Sequence, residues 1–180
     1  MAVIDAAGAA TAGAMVTGPQ PGGGEVSVAS VRAFEDVYRS DYARMTRVAH
    51  LITGSNEHAE EIVQDAFVAL YQRFDQVLDP AGYLYRAVVN GCRMRLRRRQ
   101  LAERVRHLRP TGAVGVGPPE LDETWSALAR LSPRRRAVVV LRFYADLPLD
   151  EIAEVMGCAT GTVKSQLHRA LAQLKDMVPR

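Results

Sequence analysis

The chain has 180 residues, of which 48% are hydrophobic and 24% charged, a composition typical of one or two soluble globular domains. The net charge is only +3, but arginines concentrate between Arg93 and Arg109 and again from Arg134 to Arg136, which favours a nucleic-acid partner over bulk membrane adhesion. Two cysteines, Cys92 and Cys158, exclude a disulfide framework and a zinc site, and they fit a cytoplasmic protein. No secretory signal is expected, nor any insertion into a membrane.

Residues 1–29 are predicted to form a disordered N-terminal tail, because Ala, Gly and Pro dominate it. Apolar residues at helical spacing from Val31 to Thr53 predict the first helix. Ser55 or Asn56 can cap a second helix, which runs to about Arg73. Its outward face is acidic and amide-rich with one valine, and it is either a docking surface for a partner helix or an ordinary solvated face. This face consists of Glu57, Glu61, Gln64, Asp65, Val68 and Gln72.

The third predicted helix carries a stripe of arginines. Phe74 to Asp79 is predicted to be a loop, and Asp79 followed by Pro80 marks a helix start, with the helix ending near Arg99. Spacings of four, three and four residues place one set of polar side chains on the same side, next to Tyr83. They are Arg86, Asn90, Arg93 and Arg97. Guanidinium groups beside an aromatic ring suit phosphate contacts and base stacking, whereas a merely solvated helix more often mixes Lys, Glu and Gln.

Residues 100–119 are predicted to be a flexible linker, because they have no apolar periodicity and end in a run rich in Gly and Pro. A helix is expected from Glu120 to Arg130, with the single tryptophan, Trp125, facing inward. Ser132 and Pro133 predict the start of the next helix. We expect the three arginines from Arg134 to Arg136 to point outward there.

The stretch from Leu149 to Leu174 has the pattern of a helix-turn-helix motif. A short apolar-periodic helix stops at Gly157, and Thr160 can cap the next helix. The side chains expected to face inward on that second helix are Val163, Leu167, Ala170, Leu171 and Leu174. Those expected to face outward, where small, amide and cationic groups suit base edges and phosphates, are Thr162, Lys164, Ser165, Gln166, His168 and Arg169. The alternative is an amphipathic helix with a solvated outer face.

The predicted fold is all-α, with two small helical domains (residues 30–99 and 120–180) joined by the linker, the second a helix-turn-helix domain. These residues resemble a known family. Glu61-Ile-Val-Gln-Asp-Ala-Phe67 and Tyr83-Leu-Tyr-Arg-Ala-Val-Val-Asn90 are similar to region 2 of bacterial RNA polymerase sigma factors. Leu131-Ser-Pro-Arg-Arg-Arg-Ala-Val-Val-Val-Leu-Arg142 and Gly161-Thr-Val-Lys-Ser165 are similar to region 4. Both regions with only a short linker resemble the extracytoplasmic-function (ECF) group.

The resemblance implies a partner for each surface. Core RNA polymerase would bind through its β′ coiled coil at Glu61, Gln64, Asp65 and Val68. The promoter −10 element would contact Tyr83, Arg86, Asn90, Arg93 and Arg97. The −35 element would contact Thr162, Lys164, Ser165, Gln166, His168 and Arg169. The helix from Pro133 to Ala145 would lie near the β flap, and an anti-sigma factor is a further partner. Tyr83 and Gln166 depart from the residues common in the family, so the resemblance does not fix the promoter sequences.

No Walker loop, nucleophile triad, metal cluster or dinucleotide motif occurs in the sequence, so we expect no catalytic residues, no metal and no cofactor. We expect the first 27 residues to be dispensable for polymerase binding. The main alternative function is a free-standing helix-turn-helix regulator that binds duplex operators without polymerase. An RNA-binding or adaptor protein that uses the arginine stripe alone is a third possibility, and it leaves the outward face of the last helix unexplained.

Overall fold

A computed structural model describes residues 28–106 and 122–176; the predicted tail up to residue 27, residues 107–121 of the predicted linker and its flank, and residues 177–180 lie outside these ranges. Within the described residues all regular structure is helical, which confirms the predicted all-α class. The α-helices are α1 (Val28–Thr53), α2 (Asn56–Tyr71), α3 (Pro80–Arg106), α4 (Asp122–Ala129), α5 (Pro133–Phe143), α6 (Leu149–Met156) and α7 (Thr160–Lys175).

Helices α1 to α3 form the N-terminal domain, in which each helix packs against the other two. The predicted caps are confirmed, because Ser55 Oγ accepts from the His58 N–H at 3.3 Å and Asp79 Oδ1 accepts from the Gly82 N–H at 2.9 Å. Helices α2 and α3 approach closely at Gly91, where an added Cβ would lie 2.7 Å from Cγ2 of Ile62. Glycine therefore sets the spacing between the two helices.

An aromatic cluster fixes the rotation of α2 in this domain. Ring centroids of its members lie 4.9–6.5 Å from their neighbours, mostly edge to face, an arrangement that favours aromatic pairs. The members are Phe34, Tyr38, Tyr42, Phe67, Tyr71 and Phe74. Because Phe67 points into this cluster, the opposite side of α2 is turned to solvent.

Several elements differ in extent from the sequence prediction. Helix α1 begins at Val28 rather than Val31, so residues 28 and 29 of the predicted tail are helical. Helix α2 ends at Tyr71 rather than about Arg73, and the segment expected to be a loop contains a short 3-10 helix, Phe74–Gln76. The larger difference is α3, which continues past Arg99 to Arg106, so residues 100–106 of the predicted linker are helical. Residues 100–103 (Gln-Leu-Ala-Glu) are all good helix formers, and the first proline after them is Pro110, so nothing in the sequence ends the helix at Arg99.

Helices α4 to α7 form the C-terminal domain, with α7 packed on α5 and α6. Gly157 ends α6 in the left-handed conformation (φ 61°, ψ 47°), and the Cys158 N–H donates to the Ala153 carbonyl at 2.9 Å, so the predicted turn is present. Thr160 is the first helical residue rather than the cap, which is Ala159. Leu171, predicted to face inward, is 42% exposed, because it lies about 80° around the helix from Val163 and beyond the reach of α5 and α6.

The two domains pack against each other, α5 on α1 and α6 on α3. Arginine-to-carbonyl hydrogen bonds cross this interdomain interface: Arg44 to Ala145 at 2.8 Å, Arg93 to Met156 at 3.4 Å, and Arg136 to Ile52 at 2.8 Å. The tryptophan is half-buried, and its ring occupies the space over Gly54 that a Cβ would fill. It is therefore part of the contact between the domains rather than of one domain's core.

Arg136 is 7% exposed, so the prediction that it points outward with Arg134 and Arg135 was wrong. Its guanidinium donates to the Ile52 carbonyl and to three carbonyls at the end of α4, those of Leu128, Ala129 and Leu131, at 2.8–3.2 Å. Its Cζ atom lies 4.6 Å from the centroid of the Trp125 ring. Helix ends leave such carbonyls unpaired and negative, which explains why a cation is buried here. Burial, followed by the charge of Arg99, lowers the pKa of Arg136 to about 10, so it stays charged at neutral pH.

His50 is a titratable group buried at the interdomain interface. The ring is 3% exposed, lies 6.4 Å from the Trp125 ring, and has no hydrogen-bond partner for either nitrogen among the described residues. Burial, as the main cause, and the nearby charge of Arg47, as the second, lower the pKa of His50 from its ordinary value of 6.5. Arg136 is a further cation in this region, because its guanidinium lies over the Trp125 ring that His50 also contacts. The folded state therefore favours the neutral His50 ring. The contribution of this preference to the free energy of unfolding is complete above about pH 6.5 and decreases as the pH falls below that value.

We expect the midpoint of thermal unfolding to fall between about pH 7.5 and about pH 5.5, and the fall to be smaller in His50→Phe, which keeps a ring but cannot titrate. Circular dichroism melts of both proteins at the two pH values measure this. Parallel pH dependence in the two proteins would show that His50 does not contribute.

Candidate nucleic-acid and partner interfaces

The outward face of α7 is the first candidate interface. Lys164, Ser165, His168 and Arg169 are exposed, whereas Thr162 and Gln166 are half-buried. Ser165 Oγ donates to the Thr162 carbonyl at 2.9 Å, so in this state its hydroxyl hydrogen is directed at its own helix. All six predicted residues lie within the first three turns of α7, where a helix that enters the major groove contacts bases and phosphates.

Gln173 fixes α7 relative to the rest of the domain. Its Nε2 donates to the Arg130 carbonyl at 2.9 Å, and its Oε1 accepts from Arg135 Nη1 at 3.1 Å. One amide thus joins α7 both to the start of α5 and to the turn before it. The buried Val163 and Ala170 pack the same helix onto the domain core, so the outward face is presented by a rigid support.

The arginine stripe of α3 is the second candidate interface. Asn90, Arg93 and Arg97 are exposed, and Tyr83 and Arg86 are half-buried. The buried residues Leu84, Val88 and Cys92 hold the opposite side of the helix against α1 and α2. The predicted set therefore lies along one side of a single helix, over about four turns.

Part of the arginine stripe faces the C-terminal domain. Arg93 donates to the last helical carbonyl of α6, that of Met156. Arg86 lines a cleft of about 240 Å³ between the domains, together with Arg44 of α1 and with Glu151 and Glu154 of α6. Sequence reasoning missed these acidic neighbours of Arg86, because they lie more than 60 residues away from it in the chain.

The outward face of α2 is the third candidate interface. Glu61, Gln64, Asp65 and Val68 are all exposed, Val68 by 57%, and Glu61 also pairs with Arg95 of α3 at 3.2 Å. Tyr71, three residues after Val68 and 47% exposed, adds apolar surface at the edge of this face although one side of its ring packs on Phe34, and sequence reasoning missed it. The spacing of three residues from Val68 was the available signal.

Within the described residues, no three His, Cys, Asp or Glu side chains are grouped so that they could hold a metal ion. A search of the described helices also finds none that combines the length and hydrophobicity needed to cross a membrane.

Comparisons with known proteins agree with this layout. The family model described as Sigma-70 region 2 matches residues 37–102, and the one described as Sigma-70, region 4 matches residues 121–174. The chain is 32% identical over 152 residues to an RNA polymerase sigma-E factor of Streptomyces avermitilis, covering 81% of this chain and 85% of that protein. It is 31% identical over 160 residues to the ECF RNA polymerase sigma factor SigM of Mycobacterium tuberculosis, covering 81% and 77%.

Two solved structures share the fold. The sigma factor RpoE in complex with the anti-sigma factor NepR from Bartonella quintana superposes with a TM-score of 0.71 at 21% identity, over 83% of this chain and 99% of that one. CnrH in complex with the cytosolic domain of CnrY superposes with a TM-score of 0.62 at 26% identity, over 82% and 88%.

Proposed function

The chain belongs to the ECF group of bacterial RNA polymerase sigma factors, and we propose that each of its three exposed faces performs a different binding function of such a factor. A sigma factor binds core RNA polymerase and directs it to promoters. We assign core binding to the α2 face, −10 reading to the α3 stripe and −35 reading to α7. This function places the chain in the cytoplasm, with polymerase and promoter DNA.

The observation that carries the proposal is the coexistence, in one chain, of a helix-turn-helix domain and a second domain with an acidic α2 face and an arginine-rich α3 face. A free-standing regulator would account for the helix-turn-helix domain only. It would need a ligand-binding or receiver domain where α1 to α3 stand, and those helices form a three-helix bundle around a closed apolar core.

Each face suits its task chemically. Exposed Lys164 and Arg169 can neutralise phosphates or donate to guanine, and the Gln166 amide can pair with adenine. On α3, arginines would hold the backbone of a separated strand, while Tyr83 offers a ring on which a base can stack. On α2, acidic and amide groups around Val68 and Tyr71 form a polar rim about an apolar centre, as protein–protein interfaces commonly do.

The remaining partners follow from the same assignment. Exposed side chains at the end of α5, Phe143 (61% exposed) and Tyr144 (42%), support the contact with the β flap expected for this helix. The same fold binds the anti-sigma factor NepR in one solved structure and the cytosolic domain of CnrY in another, which supports an anti-sigma partner for this chain. The chain performs no catalysis itself; the polymerase does.

Run-off transcription with core polymerase tests the proposal. Adding the chain should produce a transcript from a promoter that core polymerase alone does not use. The free-standing regulator would be favoured instead if the chain binds the same DNA tightly without polymerase and no transcript forms when polymerase is present.

Arg169→Ala should weaken the discrimination of −35 sequences by about 1–3 kcal/mol, because a charge-assisted contact to a base edge is lost. Binding of holoenzyme to promoters with native and altered −35 elements measures it. Lys175→Ala, an exposed cation at the end of the same helix, is the control and should change little. If Arg169→Ala weakens all promoters by the same factor, Arg169 contacts phosphate only.

Asn90→Ala should impair promoter opening and −10 discrimination with core binding unchanged. An amide has both donors and an acceptor, so it can read the edge of a base that has been extruded from the stack at a cost of a few kcal/mol. Arg86 and Arg93 would supply sequence-independent affinity, so their replacement should weaken all promoters alike.

A panel of −10 variants in run-off transcription distinguishes these roles. Gln100→Ala, an exposed amide on the same helix, is the matched control. A uniform decrease across the panel in Asn90→Ala would mean that Asn90 contacts the strand without reading it.

A further inference from the structure

Resting on the core-binding role proposed for the α2 face, we infer that the ion pair between Glu61 and Arg95 limits the affinity of the chain for core polymerase. Glu61 belongs to the acidic face that would meet a basic partner surface, and Arg95 is a cation of α3 that reaches this face. The pair thus occupies one acidic group that the partner needs and places a positive charge beside it.

The close approach of α2 and α3 brings the two side chains together. Gly91 lets α3 come so near to α2 that an added Cβ would lie 2.7 Å from Cγ2 of Ile62. Arg95 follows Gly91 by four residues, so it lies on the same side of α3, and Glu61 is the residue before Ile62 on α2. Arg95 Nη2 consequently lies 3.2 Å from Glu61 Oε2.

Arg95 does not belong to the arginine stripe. It lies about 180° around α3 from Arg86 and about 160° from Arg93, so it faces away from the proposed −10 strand. The side chains of Arg95 and Glu61 are 36% and 54% exposed, so a partner that covers the α2 face can contact both. The position of Arg95 therefore points to core binding rather than to DNA.

The pair involves one of the three carboxylates on the α2 face. Glu57 and Asp65, the other two, form no ion pair with any residue that the structure describes. Removal of the Arg95 charge would therefore leave all three carboxylates without a cation partner of their own chain. A basic surface would then meet a face of greater negative charge.

The pair should affect binding more than folding. Exposed ion pairs stabilise a fold only weakly, because water and salt screen both charges and ordering two long side chains costs entropy. A basic group of the partner that contacts Glu61, however, has to displace Arg95 and is also repelled by it. The expected consequence has a definite sign, since loss of Arg95 should strengthen core binding.

The test measures the affinity of the full chain for core RNA polymerase at low ionic strength, by titrating core polymerase onto the immobilised chain. The variant Arg95→Gln removes the charge and keeps a polar side chain. The matched control is Arg39→Gln, which removes the same charge and also breaks an exposed ion pair, that with Glu35 at 3.4 Å, but on α1. Both variants should keep the helicity and the melting temperature of the parent.

We expect Arg95→Gln to bind core polymerase about threefold to fivefold more tightly than Arg39→Gln. The gain should shrink when the salt concentration is raised from about 0.05 M to about 0.3 M, because the charges are exposed. In a Glu61→Gln background the gain should fall to less than half, because no carboxylate remains to be released.

Binding by Arg95→Gln that equals or is weaker than that of the control would overturn the inference and leave the α2 role standing, provided that Asp65→Arg still weakens core binding. An undiminished gain in the Glu61→Gln background would overturn the role of the pair, because Arg95 would then act through its charge alone. If Asp65→Arg binds core polymerase as well as the wild type, the core-binding role of the α2 face is itself wrong, and the inference is overturned with it.

Discussion

Replacing Arg136 with alanine is expected to lower the free energy of unfolding by about 3–5 kcal/mol. We expect this to be the largest effect among the arginines that the sequence alone would place at the surface. The substitution removes a buried guanidinium that donates to four carbonyls. The carbonyls of Ala129 and Leu131 after the end of α4 and of Ile52 at the end of α1 lose this donor, whereas that of Leu128 keeps the Leu131 N–H at 3.0 Å. Each buried acceptor left unpaired costs about 1–3 kcal/mol, which water entering the site offsets in part.

Urea unfolding followed by far-ultraviolet circular dichroism measures this change. Arg135→Ala is the matched control, since that arginine is half-buried and makes one bond, to Gln173; a decrease of about 1 kcal/mol or less is expected for it. Arg136→Lys should fail to restore stability, because a single ammonium cannot reproduce the planar fork of donors. Equal losses in the Arg135 and Arg136 variants would contradict the role assigned to Arg136.

Replacing Asp65 with arginine should weaken binding to core polymerase by about 2 kcal/mol or more, roughly 30-fold, while leaving the fold intact. Asp65 is exposed on the α2 face, so the change buries no charge. It does place a cation among the acidic groups that surround Val68, where a basic partner surface would be repelled. Pull-down of core polymerase over a range of concentrations gives the change in affinity.

Glu60→Arg is the control for this experiment. Glu60 is also exposed on α2, and the substitution makes the same change in charge, but it lies about 140° around the helix from Asp65. We expect near wild-type binding for it, and both variants should keep the helicity of the parent. Equal weakening by the two substitutions would mean that overall charge, rather than this face, governs binding.

Apolar periodicity was sufficient to predict the helices, because in each domain a helix buries one side and exposes the other. The α2 set of Glu61, Gln64, Asp65 and Val68 was placed correctly on an exposed face for this reason. The start signal at Ser132 and Pro133 predicted α5 correctly, although the helix contains the β-branched residues Val138 to Val140, whose local preference is for strands.

Arg136 could not be predicted, because its partners lie in two segments of the chain that are far apart in sequence. Local sequence placed it with Arg134 and Arg135 in a solvated basic run, and only the folded structure brings the end of α1 and the end of α4 to the same guanidinium. The contact of α6 with the arginine stripe has the same origin. Periodicity identifies which side of a helix is polar, but it does not identify the part of the folded protein that this polar side contacts.

The two cysteines differ so much in environment that the unmodified chain is suited to selective thiol chemistry. Cys92 is fully buried, and burial raises its pKa to about 12, so almost none of it is thiolate at neutral pH. Cys158 is half-buried in the turn between α6 and α7. A maleimide dye should therefore couple at Cys158 alone while the protein is folded, which would place a probe beside the start of α7, the helix proposed to read the −35 element, without mutagenesis.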